Sequence, residues 1–235
     1  VSKSIRHQTV QPQLVILEDR TTPAAAFVLS NNTLIPIETE FPTLPRPAIL
    51  VRGLEDGENL VGIDFRPQNN QLYGLAADGA GGVRLYAISH RTGLATPLTP
   101  APVQFSDADG KAVAVTGKSF GIDFNPTVDR LRVVTDTGLN FRMDPNTGAI
   151  IDGDPDMPGV QPDGNLNGGA AAGAATAYTN SFANAAATTQ YTLDVASSKL
   201  FIQNPPNAGT LTNGLTITFG GKPLEISAAG GFDIP

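Results

Sequence analysis

The chain contains no cysteine. Disulfides, thiol catalysis, thiolate metal sites and iron–sulfur clusters are therefore excluded. Tryptophan is also absent, and tyrosine occurs only four times. Few aromatic platforms remain for stacking on sugars. Charged side chains make up 16% of the 235 residues, against about 25% in an average globular chain. That low content argues against a coiled coil and against a disordered acidic tail. Basic charge is in deficit, with 15 Lys and Arg against 22 Asp and Glu and a net charge of −7. An acidic surface repels phosphate backbones, so no nucleic-acid partner is expected. No apolar run approaches the ~20 residues that span a bilayer as a helix, so no transmembrane segment is expected.

Catalytic signatures are equally scarce. The two histidines, His7 and His90, lie far apart, and no His-x-x-x-His or His/Glu cluster exists, so a catalytic zinc site is not expected. No Gly-x-Ser-x-Gly string occurs, and Ser89 beside His90 reads as a turn residue. The Gly79–Gly82 loop lacks the Lys-Ser/Thr ending of a phosphate loop.

What is present is glycine, 25 residues, and proline, 19, beside 40% hydrophobic residues. This is the composition of a turn-rich β protein with a real core. Internal repetition decides its architecture. Gly62-Ile63-Asp64-Phe65-Arg66-Pro67 returns as Gly121-Ile122-Asp123-Phe124-Asn125-Pro126, and Gly231-Phe232-Asp233-Ile234-Pro235 is a partial third copy. The aspartates stand 59 and then 110 residues apart. The second interval holds two units of about 55, which predicts a degenerate unit at Ala177-Tyr178-Thr179-Asn180.

Each copy opens a similar series of short strands. Ile63 and Phe65 flank Asp64 with the period of two that marks a strand. A turn at Asn69-Asn70 leads to Gln71–Leu75, and Val83–Ile88 then reaches a turn at Arg91-Thr92-Gly93. The second copy continues through Leu131–Val134 and Leu139–Met143 to a turn at Asp144–Gly148. Gln190–Asp194 and Lys199–Ile202 read as a further hairpin turning at Val195–Ser198. Gly168, Gly169 and Gly173 mark the Ala-rich stretch 168–177 as a loop. Short strands in units of about 40–60 residues, joined by Gly, Pro, Asn and Asp turns, predict an all-β, propeller-like fold of antiparallel repeats. A β-sandwich is the alternative.

The expected domain covers residues 28–235, behind a flexible tail at 1–27. Lys3, Arg6 and His7 give the tail a positive bias, but Leu14–Leu17 is too short for a secretory signal. Leu17-Glu18-Asp19-Arg20-Thr21-Thr22-Pro23-Ala24 resembles the LExR-x-x-P element near the N-termini of many exported or surface proteins of bacteria. The resemblance implies an extracytoplasmic location, secreted or at the cell surface.

A wider resemblance runs from about Leu34 to Pro235. The strings LVGIDFRPQNNQLYGL, RLYAISHRTGLATPL, LNFRMDPNTGAI, AATAYTNS, TTQYTLDVASSKLFIQNPPNAGTLTNGL and GGFDIP resemble, in order, a bacterial propeller-like domain family of unassigned function. The resemblance implies the fold and carries over no catalytic residue or substrate. Relatives continue past GFDI into another strand and Thr-Gly turn, whereas this sequence stops at Pro235. The expected sheet set is therefore incomplete at the C-terminus. The strands around Thr33–Ile37 or a second molecule would close it, and an open edge would favour edge-to-edge self-association.

Two groups of carboxylates are candidate sites. The repeated Asp64, Asp123 and Asp233 could coordinate calcium or act as acid and base near a propeller axis. The competing reading makes them structural, accepting backbone N–H bonds in the following turn. Tyr178 and Asn180 would stand in the same zone of the degenerate unit. Asp152, Asp154 and Asp156, with Asp163 at position 12, have the alternation of a calcium loop. Met157 at position 6 and the stiffening Pro155 and Pro158 oppose it. No cofactor is expected, with calcium as the alternative. The rigid Gln203-Asn204-Pro205-Pro206-Asn207 string reads as a shaped loop between repeats, or as a contact surface.

These readings point to a non-enzymatic scaffold or recognition module for a protein or surface polymer. The alternative is a calcium-dependent propeller hydrolase using central carboxylates. An incomplete copy with no independent role is a third reading.

Overall fold

A computed structural model describes residues 25–38, 46–169, 172–226 and 231–234. The chain forms four antiparallel sheets set in a ring as the blades of a β-propeller. The first blade holds β1 (Ala25–Ser30), β2 (Thr33–Glu38) and β3 (Ile49–Leu50). The second holds β4 (Asn59–Arg66), β5 (Gln71–Ala77), β6 (Val83–Ile88) and β7 (Ala95–Pro97). A small hairpin of β8 (Phe105–Ser106) and β9 (Ala112–Val113) follows. The third blade is β10 (Phe120–Asn125), β11 (Arg130–Thr135), β12 (Asn140–Met143) and β13 (Ile150–Ile151). The fourth is β14 (Gly173–Tyr178), β15 (Gln190–Asp194), β16 (Lys199–Gln203) and β17 (Leu211–Thr216). A hairpin of β18 (Thr218–Phe219) and β19 (Lys222–Pro223) comes after it. Within each blade the strands lie in chain order, the meander that short turns permit.

The turns stand where their residues predict. Asn70 and Ser198 adopt positive φ at 57° and 52°, as do Gly93 and Gly148 at 74° and 75°. The tail expected over 1–27 lies outside the described residues except at its end, where Ala25–Phe27 open β1.

The first strands of neighbouring blades meet near the axis, β4 against β10 and β10 against β14. The degenerate unit falls where the spacing puts it, in β14. The loop expected over 168–177 is corrected in its second half, because all six residues of Gly173–Tyr178 form a buried strand. Close approach of strands is the physical reason. A Cβ on Gly121 would stand 2.6 Å from the Cα of Ala175, so small residues here mark contact between strands rather than a loop.

Apolar packing joins the blades unevenly. Tyr73, Leu75 and Leu85 of the second blade interlock with Ile122, Phe124 and Val133 of the third. Tyr73 and Phe124 meet edge to face at 5.3 Å. Leu34 of the first blade packs with Leu60, Leu72 and Ile88 of the second. Between the third and fourth blades the apolar cluster among the described residues is smaller, made of Val134, Leu166, Phe201 and Leu211. Polar side chains supply the rest of that joint.

Candidate functional site

The repeated aspartates converge. Asp64 on β4, Asp123 on β10 and Asp233 in the C-terminal segment each bring a carboxylate oxygen within 4.8 Å of the others. Among the described residues this is the one cluster of three or more potential metal-ligating side chains. Asp123 is buried, Asp64 half-buried and Asp233 exposed, so the cluster is graded from interior to solvent.

Two of these carboxylates also fasten the blades. Asp64 Oδ1 accepts the N–H of Phe65 at 2.7 Å, and Oδ2 accepts the N–H of Phe124 on the next blade at 2.8 Å. Asp123 Oδ1 accepts the N–H of Tyr178, one blade further, at 3.2 Å. These carboxylates accept backbone N–H bonds, but none from the following turn: one comes from the next residue of the same strand and two from the neighbouring blade. The position equivalent to the aspartates in β14 is Ala177, which leaves the fourth blade without a carboxylate here.

Crowding of acids away from water raises their proton affinity. Burial pushes Asp64 up to about 8, and the nearby Asp233 adds to this. The N–H bonds from Phe124 and Phe65 oppose the rise without cancelling it. Asp123 is held well above the usual carboxylate range by burial, with repulsion from Asp64 and Asp233 behind it. The cluster can therefore carry protons or exchange them for a cation.

The second sequence candidate does not assemble in the same way. Asp152 Oδ1 accepts N–H bonds from Asp154 and Gln161 at 3.1 and 3.0 Å, and Asp154 Oδ1 accepts that of Asp156 at 3.3 Å. These bonds shape a loop. Asp163 is drawn elsewhere: Arg132 Nη1 reaches its Oδ2 at 2.6 Å and Arg142 Nη2 its Oδ1 at 2.7 Å. Asn180 is a turn residue with φ of 60°, and its amide donates to the carbonyl of Ala187. His90 packs edge-on against the rings of Phe27 and Phe65 at 5.8 and 5.6 Å. His7 lies outside the described residues.

Sequence reading misses a buried polar layer between the third and fourth blades. Arg132 donates to Asp163, to Asn140 Oδ1 at 2.9 Å and to Asn207 Oδ1 at 2.6 Å. Gln203 donates to the same Asn140 oxygen at 3.0 Å and accepts from Gln190 and Thr192 at 3.1 and 2.7 Å. Tyr178 Oη donates to Gln190 Oε1 at 3.0 Å. The Pro-Pro loop joins in through the carbonyl of Pro206, which accepts from Asn140 and Gln203. The expectation of a loop between repeats is corrected: the segment joins β16 to β17 within the fourth blade, and only its hydrogen bonds, such as Asn140 to the Pro206 carbonyl, reach the third. The available signal was polar residues at strand positions facing a neighbour, such as Arg132, Asn140, Gln190 and Gln203.

A family model described as Domain of unknown function (DUF4394) matches residues 33–235. The chain belongs to that family. The DUF4394 match spans all four blades from β2 onward and includes Asp64, Asp123, Asp233 and the polar layer. No curated protein matches the sequence. Among the described residues of this DUF4394 chain, no helix is long and apolar enough to cross a membrane.

Proposed function

We propose that this DUF4394 domain is a non-enzymatic extracytoplasmic module that scaffolds or recognises a protein or surface polymer. The observation that carries the reading is the commitment of the central carboxylates to backbone N–H groups of neighbouring blades. Acids used in this way stiffen a platform, and recognition then falls to the loops around it. His90 is packed among phenylalanine rings, away from any role as a base beside these acids. The Leu17–Ala24 string and its resemblance support export. Two measurements test the reading. Immunoblotting of fractionated source cells should find the protein outside the cytoplasm. The purified chain should bind envelope fractions saturably and turn over none of a panel of chromogenic esters and glycosides. Recovery in the cytosol, or turnover abolished by Asp123→Asn, would overturn it.

A second reading is favoured by the convergence of Asp64, Asp123 and Asp233: a calcium-dependent hydrolase with its ion at the axis. Thermal unfolding in calcium and in chelator separates the two. The module predicts equal midpoints. A bound ion at 100 times its dissociation constant would add ~2.7 kcal/mol and raise the midpoint by several degrees.

A further inference from the structure

Beside the polar layer lies a cavity of about 440 Å³, within the size range of small-ligand sites. Its walls come from the start of β11, from β12, from the end of β14 and from the Pro-Pro loop. Three arginines line it, Arg130, Arg132 and Arg142, on a protein whose net charge is −7. Buried Asp163 neutralises one of them, and Asp144 stands 3.5 Å from Arg130. One positive charge is left over.

The unspent hydrogen-bonding capacity has one sign. Arg142 commits Nε and Nη2 to Asp163 at 2.8 and 2.7 Å, which fixes the plane of its guanidinium and leaves Nη1 without a bond among the described residues. Asn207 uses its oxygen to accept from Arg132. Asn125 uses its oxygen to accept the N–H groups of Thr127 and Val128 at 2.9 and 3.2 Å. With both amide oxygens engaged, the NH₂ groups remain to donate. Around these donors the wall is apolar: Pro205, Pro206 and Val128, the last 56% exposed.

We infer that this cavity binds a small organic monocarboxylate, its carboxylate on Arg142, Arg130 and the two asparagine amides, its apolar body against Pro205, Pro206 and Val128. The Nη1 of a guanidinium held in place by Asp163 gives a carboxylate a charge-assisted donor of fixed direction, and the single surplus charge matches a monoanion better than a phosphate dianion. The site is separate from the axial carboxylates. It deepens the recognition reading by naming a ligand class.

The test is a titration of the isotope-labelled full chain, followed by amide NMR, with benzoate, its neutral counterpart benzamide, and inorganic phosphate, each alone. Benzoate should shift the amides of Val128, Arg142 and Asn207 saturably, and benzamide should not. Arg130→Gln, a half-exposed position, should weaken benzoate about tenfold, the worth of one charge-assisted bond. Val128→Ser should weaken it severalfold without altering the fold. No saturable shift with benzoate, phosphate binding as tight as benzoate, or an unchanged affinity in Arg130→Gln would each overturn the inference. Envelope binding that survives Arg130→Gln in a chain that ignores benzoate would leave the recognition reading standing and remove this pocket from it.

Discussion

At Asp64 and Asp123 one side chain answers two demands that oppose each other. Accepting a backbone N–H from the next blade favours the ionised form, whereas burial beside other acids favours the protonated one. Burial prevails. Asp64 binds its proton up to a pH of about 8 in the folded chain, against 3.8 ordinarily. The folded state then holds more protons than the unfolded state throughout that interval, so this stabilisation is full below the lower value and is lost as pH rises to the upper one. Chemical denaturation should therefore give falling stability from Asp64 between about pH 4 and 8. Asp123→Asn keeps an oxygen for the Tyr178 N–H and removes a charge. Its stability at pH 8 should exceed that of the parent, and its pH dependence should be flatter. Asp64→Asn is not equivalent, because both Asp64 oxygens accept N–H bonds and an amide offers only one oxygen. It should lose about 1 kcal/mol of the gain through the broken bond.

At the level of strands and blades, the sequence is most readable where a motif repeats. Asp64 and Asp123 announce β4 and β10, and the doubled interval to Asp233 locates β14 although its aspartate position holds Ala177. Hairpins set off by Asn-Asn or Thr-Gly turns are legible for the same reason: a local φ requirement leaves a local mark. The Ala- and Gly-rich run before Tyr178 misleads because its composition answers a neighbour, not its own backbone. Gly121→Ala tests that contact. Its new Cβ would press on the backbone of Ala175, so a loss of about 1–3 kcal/mol is expected in urea unfolding. The Asp163 pairing was illegible because its partners lie 31 and 21 residues back, on β11 and β12, and only the folded sheet aligns them. Asp163→Asn leaves Arg132 buried with its countercharge gone. A cost of about 3–5 kcal/mol should follow, visible as a lower denaturation midpoint. Asp154→Asn, in the exposed loop nearby, should change it by less than about 0.5 kcal/mol.

Across the whole molecule the blades are joined by unlike means. Aromatic and aliphatic side chains fuse the second blade to the third, while a hydrogen-bonded layer with a thin apolar cluster holds the third to the fourth. Apolar contact tolerates small shifts, but a polar network loses bonds once its geometry slips. Hydrogen exchange should accordingly report earlier opening of the β14–β17 blade than of β4–β7 and β10–β13. Equal protection of all three blades would contradict this ordering.

The carboxylate bonds across the axis also have a direction. In both cases the acceptor belongs to the blade nearer the N-terminus and the donor to the one after it. On the ribosome, the acceptor is made first and waits in water, ionised, until the following strand emerges. The second and third blades thus each present a ready docking point to their successor. Assembly acquires a polarity that matches synthesis, and a nascent chain can be built up one blade at a time.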